Sequence, residues 1–195
     1  MILVTQFNAF STPVIILSSV VLSLSGVILG IVISRSDFVI IMTMIGIISL
    51  AGIVVNNAIV LVDYTNLIRK RKRKEMLLNS EDLISNEDFK SAVIEGGKTR
   101  LRPVLLTAIT TILGLFPLAS GLNINFFTLI SDWDPQIFFG GDNVIFFKPM
   151  SLAIIYGLTF ATFLTLVVVP IMYYTIYRFK LWLFKKFNWT IKIDL

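Results

Sequence analysis

Ser49, Asn56 and Asp63 recur at intervals of seven in GIISLAGIVVNNAIVLVDY, an otherwise almost wholly apolar run from Gly46 to Tyr64. At about 100° per residue the three fall within roughly 40° of one another on a helix. Asn57 adds a second amide, and Gly52, beside the line, opens room for a neighbouring helix. Polar groups in hydrocarbon are costly unless satisfied, so this stripe should face protein or a wet cavity. Two chemistries suit it. Asn and Ser can serve as hydrogen-bonding glue between helices. Alternatively, an ionisable group with amides at this depth can handle an ion. A second set follows: Arg100, Thr107, Thr111 and Gly114 share one helix face. The threonine hydroxyls can also bond the backbone carbonyl four residues back, which would make them structural.

The elements that must carry these residues are membrane spans. Hydrophobic residues form 56% of the chain and charged ones only 15%, with a mean hydropathy of +0.86. That profile predicts an all-α membrane protein with four transmembrane helices and a short cytoplasmic amphipathic helix. With no Cys, disulfides and thiolate metal sites are excluded, and with no His the commonest metal ligand is absent. No nucleophile–base pair or metal cluster is legible, so neither an enzyme nor a cofactor is expected.

Residues 1–12 are too short to span and read as the end of a preceding helix. Residues 13–33 form the first span, about 31 Å long against a hydrocarbon core of about 30 Å. Gly26 and Gly30 on it make a GxxxG pair for close helix packing. After a polar turn, residues 38–67 form a second span longer than the bilayer needs, which should tilt or protrude. Asp63 falls roughly 6–9 Å from the first basic residue, near the headgroups.

Residues 69–102 are a cytoplasmic linker that opens with RKRKRK, read as a positive-inside stop signal. The pattern from Ser85 to Gly97 predicts a short amphipathic helix on the inner membrane surface, closed by Gly96-Gly97. GGKT at 96–99 resembles the end of a P-loop but lacks the earlier glycine and the strand, and is rejected. Residues 103–121 are the third span. Residues 122–149 make a long aromatic extracytoplasmic loop, either interfacial or re-entrant. Residues 150–177 are the fourth span, where Gly157 and Ala161 belong to a groove of small residues. Residues 178–195 form a basic, aromatic tail for the inner leaflet. Grooves on the first and fourth spans, with the stripe on the second, predict that the chain needs partner helices.

Of 17 Lys and Arg, ten lie between Arg69 and Arg102 and five from Arg178 onward, leaving Arg35 and Lys148. That asymmetry puts the linker and both termini in the cytosol. It also explains the net charge of +5 through the lipid bilayer, without nucleic acid.

GIVVNNAIVLVDY followed by TRLRPVLLTAITTILGLFPLA resembles two consecutive motifs of the resistance-nodulation-division (RND) efflux transporters. The most similar branch exports hydrophobic and amphiphilic compounds, including drugs. LAIIYGLTFATFLTLVVVPIMYY is similar to that family's last membrane helix, and QFNAFSTPVIIL to the join between its eighth and ninth. The resemblance implies the C-terminal membrane piece of a bacterial inner-membrane antiporter, starting at a truncation or an internal start. Its partners would be the remaining helices and porter domain of a trimeric pump, with a periplasmic adaptor and an outer-membrane channel.

In such pumps two aspartates on the fourth helix work with a lysine on the tenth and an arginine and threonine on the eleventh. By position the arginine and threonine correspond to Arg100 and Thr107. The lysine position holds Asn56, and the Asn after it is Asn57. Asp63, Ser49 and Thr111 are further candidates for the same ion path. Loss of the lysine charge would raise the pKa of a facing carboxylate and leaves H⁺ or Na⁺ coupling open. A non-transporting assembly module, or a protein- or lipid-exporting member of the superfamily, are the alternatives.

Overall fold

The computed structural model describes residues 11–75, 86–124, 130 and 137–187. Among the described residues four long helices form the fold: α1 (Ser11–Ser34), α2 (Ile40–Glu75), α3 (Asn86–Ser120) and α4 (Asp142–Phe187). Between α3 and α4, β1 (Leu122–Ile124) pairs antiparallel with β2 (Ile137–Phe139), Leu122 opposite Phe139. All four helices contain a stretch long and apolar enough to cross a membrane. The fold is an all-α membrane arrangement, with one short antiparallel strand pair among the described residues.

α4 is the hub, packing against each of the other three helices. α1 runs antiparallel to it, with Gly30 at Tyr156, Gly26 at Phe160 and Ser18 at Met172. α2 runs parallel to it, with Gly46 at Met150, Leu50 at Gly157 and Asn66 at Tyr173. A methyl group at Gly26 would lie 2.5 Å from Cβ of Phe160. Gly157 is walled by Leu50 and Val27 just as tightly. The grooves of α1 and α4 therefore accept side chains of this same chain. The expectation that they await helices from outside is corrected, because an antiparallel α1–α4 pair places each groove opposite large residues of its neighbours. The apolar interior around them gathers Val27, Leu50, Val54, Ala108, Ala153, Leu158 and Ala161. Buried Ser19 and Ser23 donate to the carbonyls of Ile16 and Val20 at 2.7 Å, so their hydroxyls cost little in an apolar setting.

Three element limits differ from the sequence reading. α2 does not stop before the basic run but carries it to Glu75. The amphipathic segment and the third span are one helix, α3, of 35 residues. Gly96 does not close it, because Gly96 is buried against α2, where an added Cβ would meet the Thr65 hydroxyl at 2.8 Å. Close approach is its use there. The predicted cap residue Ser85 lies outside the described residues. α4 begins eight residues earlier than the predicted span and continues to Phe187. Residues 1–10 and 188–195 are likewise outside the described residues.

Two helix ends are informative. α3 stops at Gly121, whose φ of 76° is the left-handed geometry glycine adopts freely. α1 stops in the same way, but on Arg35, with φ of 50°. The Ser36 amide reaches the Ile31 carbonyl at 3.3 Å and the Arg35 amide reaches Val32 at 3.4 Å, a Schellman pair. A non-glycine residue there costs roughly 1–2 kcal/mol.

Candidate ion-coupling face

α2 separates its residues into two faces. Leu50, Val54, Ala58, Leu61, Val62 and Thr65 are buried against the rest of the chain. Ser49, Gly52, Asn56 and Asp63 lie on the opposite side and are exposed, with Asn57 half-buried at the edge. Nothing lies within 4 Å of a Cβ placed on Gly52. Among the described residues the Asp63 carboxylate has no ion pair or hydrogen bond. The apolar face took the intramolecular packing, which leaves the polar stripe looking outward from the four-helix unit.

α3 lies antiparallel beside α2. Lys72 Nζ meets Ser91 Oγ at 2.6 Å, Thr65 meets Gly96, and Arg100 Cζ lies 4.3 Å from the centroid of Tyr64. Each step up one helix is matched by a step down the other. Seven residues beyond the Tyr64–Arg100 pair, that register sets Thr107 at the level of Asn57. Burial of Val54 and Ala108 in one cluster agrees with it. Asn56, Asn57 and Thr107 thus share one depth, with Arg100 about two turns away.

The geometry also fixes what the hydroxyls do. Thr107 donates to the Val104 carbonyl at 2.9 Å, and Thr111 to the Thr107 carbonyl at 2.8 Å. Each still has acceptor capacity toward the open side. Arg100 is half-buried, and its Nε is enclosed with no hydrogen-bond partner among the described residues. An arginine clamped on a ring with an unmet donor is suited to receive an acceptor brought by another helix. No group of His, Cys, Asp or Glu able to hold a metal occurs among the described residues.

A second cluster went unread in the sequence. Phe89 of α3 stacks on Tyr177 at 3.7 Å between centroids and on Tyr173 at 5.5 Å. The Tyr173 hydroxyl donates to Asn66 Oδ1 and accepts from Arg69 Nη1 at 3.3 Å. Arg69 is only 6% exposed. Lys72 adds a 3.7 Å ion pair to Glu95. The basic run is therefore two-sided: Arg69 and Lys72 bind α3 and α4, whereas Lys70, Arg71 and Lys74 are exposed. The signal was present. Arg69 and Lys72 continue the three-to-four spacing of the buried Leu61, Thr65 and Ile68.

Residues 1–123 match the AcrB/AcrD/AcrF family. The chain is 37% identical over 180 residues to the swarming motility protein SwrC of Bacillus subtilis, covering 92% of this chain and 14% of that protein. It is 31% identical over 129 residues to protein HelA of Legionella pneumophila, covering 66% of this chain and 9% of that one. It is 27% identical over 167 residues to the multidrug resistance protein MdtC of Erwinia tasmaniensis, covering 86% of this chain and 13% of that protein. No solved structure matches it. The chain spans about one seventh or less of the length of these relatives. Its matched residues include α1, α2 and α3, which carry the polar face, and it belongs to the AcrB/AcrD/AcrF family of RND permeases as a multi-pass membrane part.

Proposed function

We propose that this chain supplies the α2–α3 half of an ion-coupling site in a bacterial inner-membrane exporter, completed by carboxylate-bearing helices of the rest of the pump. The observation that carries this reading is the outward polar stripe. Asn56 and Asp63 face away from the chain's own core, and lipid contact for such groups is costly. Asn56, Asn57, Thr107 and Arg100 offer amide, hydroxyl and guanidinium partners to a carboxylate, and Asp63, Ser49 and Thr111 extend the path. By itself the chain transports nothing.

The cargo we infer from the motif resemblance is hydrophobic or amphiphilic; the MdtC relative is named a multidrug resistance protein. A trimer, a periplasmic adaptor and an outer-membrane channel are proposed on the family resemblance alone. The orientation we infer rests on charge: the sequence puts fifteen basic residues in segments 69–102 and 178 onward, whose described ends lie toward Arg69 and Tyr173, against Arg35 and Lys148 at the other end. The first end therefore faces the cytosol.

The test is export by the complete pump against external pH, with and without Na⁺, at matched protein levels. Asn56→Leu should lower export at least tenfold. Asn56→Lys should move the pH profile to lower pH, because a nearby ammonium favours the ionised carboxylate. Unchanged export by Asn56→Leu across that range would reduce the stripe to helix packing.

A further inference from the structure

Arg35 and Lys148 are the two basic residues that stand apart from the clusters at residues 69–102 and 178–195. They are 113 positions apart in sequence, yet both line one cleft of about 640 Å³. The α1–α2 turn forms one wall, with Ser34, Arg35, Ser36 and Asp37. The first turns of α4 form the other, with Asp142 and Lys148. Val39, Val144, Ile145, Pro149 and Leu152 supply apolar lining. Convergence of both exceptions to the charge asymmetry on one cavity calls for a local cause.

The cleft holds two cations and two carboxylates. Among the described residues no ion pair within 4.0 Å joins any of the four, and none has a side-chain hydrogen bond. Their charges are available to a ligand. Arg35 moreover occupies a left-handed helix-end position where glycine is the favoured residue. A guanidinium at such a position is accounted for if the guanidinium has a role. The cleft lies where α1 ends and α2 and α4 begin, beside exposed Phe38, Phe139 and Phe146. That is the depth of phospholipid headgroups, with aromatic rings on its rim.

We propose that this cleft binds the headgroup of a zwitterionic phospholipid bearing a primary ammonium. Arg35 and Lys148 take the phosphate, Asp37 and Asp142 take the ammonium, and Val39, Ile145 and Leu152 border the upper acyl chains. Arginine and lysine suit phosphate oxygens, and a carboxylate pairs better with a hydrogen-bonding ammonium than with a quaternary one. The assignment stands independently of ion coupling at Asn56.

The test is lipid binding to the full chain by native mass spectrometry, in detergent titrated with phosphatidylethanolamine, phosphatidylcholine or phosphatidylglycerol. One phosphatidylethanolamine should bind saturably, at least tenfold more tightly than phosphatidylcholine. Arg35→Gly should weaken it about tenfold while leaving thermal stability equal or higher, since glycine relieves the left-handed position. Asp142→Asn should weaken phosphatidylethanolamine but not phosphatidylglycerol. Soluble phosphoethanolamine separates two sources of the same chemistry. Failure to compete assigns the site to lipid, and full competition assigns it to a soluble ligand with this headgroup. Equal binding of phosphatidylethanolamine by the wild-type chain and Arg35→Gly, with the fold intact, overturns the proposal.

Discussion

The guanidinium of Arg100 lies over the ring of Tyr64, with Cζ 4.3 Å from the centroid. This contact joins α3 to α2 about two turns from the shared level of Asn57 and Thr107. Tyr64→Leu should destabilise the chain by about 0.5–2 kcal/mol, the range for such contacts, and Tyr64→Phe should keep most of it. Thermal unfolding of the three proteins in one detergent decides the matter. Equal midpoints for Tyr64→Leu and the wild type would leave the contact without energetic weight.

Glycines on two faces should respond oppositely. Gly157 is walled by Leu50 and Val27, so Gly157→Ala should cost about 1–3 kcal/mol through overpacking. Gly52 has open space, so Gly52→Ala should raise stability of this chain by up to about 1 kcal/mol through helix propensity. In the complete pump Gly52→Ala should lose that gain, because another helix fills the space. Comparing Gly52→Ala in the two settings measures whether the outward stripe is covered.

Tyr173 couples Asn66 to Arg69 at the end of the bundle. Tyr173→Phe preserves the stack on Phe89 but strands the Asn66 carbonyl and one Arg69 donor. A loss of about 1–3 kcal/mol is expected, as for a buried polar group left unsatisfied. Denaturant or thermal melts that show no change would mean that water replaces the hydroxyl.

The chain has no cysteine, which makes topology directly measurable. Asn143→Cys and Glu75→Cys are exposed positions at opposite ends of the bundle. In intact cells an impermeant maleimide should label Asn143→Cys at once and Glu75→Cys only after permeabilisation. The reverse pattern would invert the orientation.

Four long apolar helices and the polar spacing Ser49–Asn56–Asp63 were legible in the sequence by themselves. Hydrophobic length and a period of 3.6 are local properties, set by bilayer thickness and helix geometry. The charge asymmetry was legible for the same reason, since it needs only counting. Family membership rode on contiguous motifs within α2 and α3. What tertiary structure decided was direction. Periodicity says that Gly52 lies beside the polar stripe and Gly157 in a groove of small residues, but not that Gly157 meets Leu50 while Gly52 meets nothing. It says that six basic residues follow the second apolar span, but not that Arg69 is enclosed and bonded to Tyr173 of α4. Composition tells where a helix can leave water, and only the packing of α4 against its three neighbours settles which side of each helix remains open. The meeting of Arg35 with Lys148 in one cleft belongs to the same class, because two residues 113 positions apart are brought together only by antiparallel packing of α1 on α4.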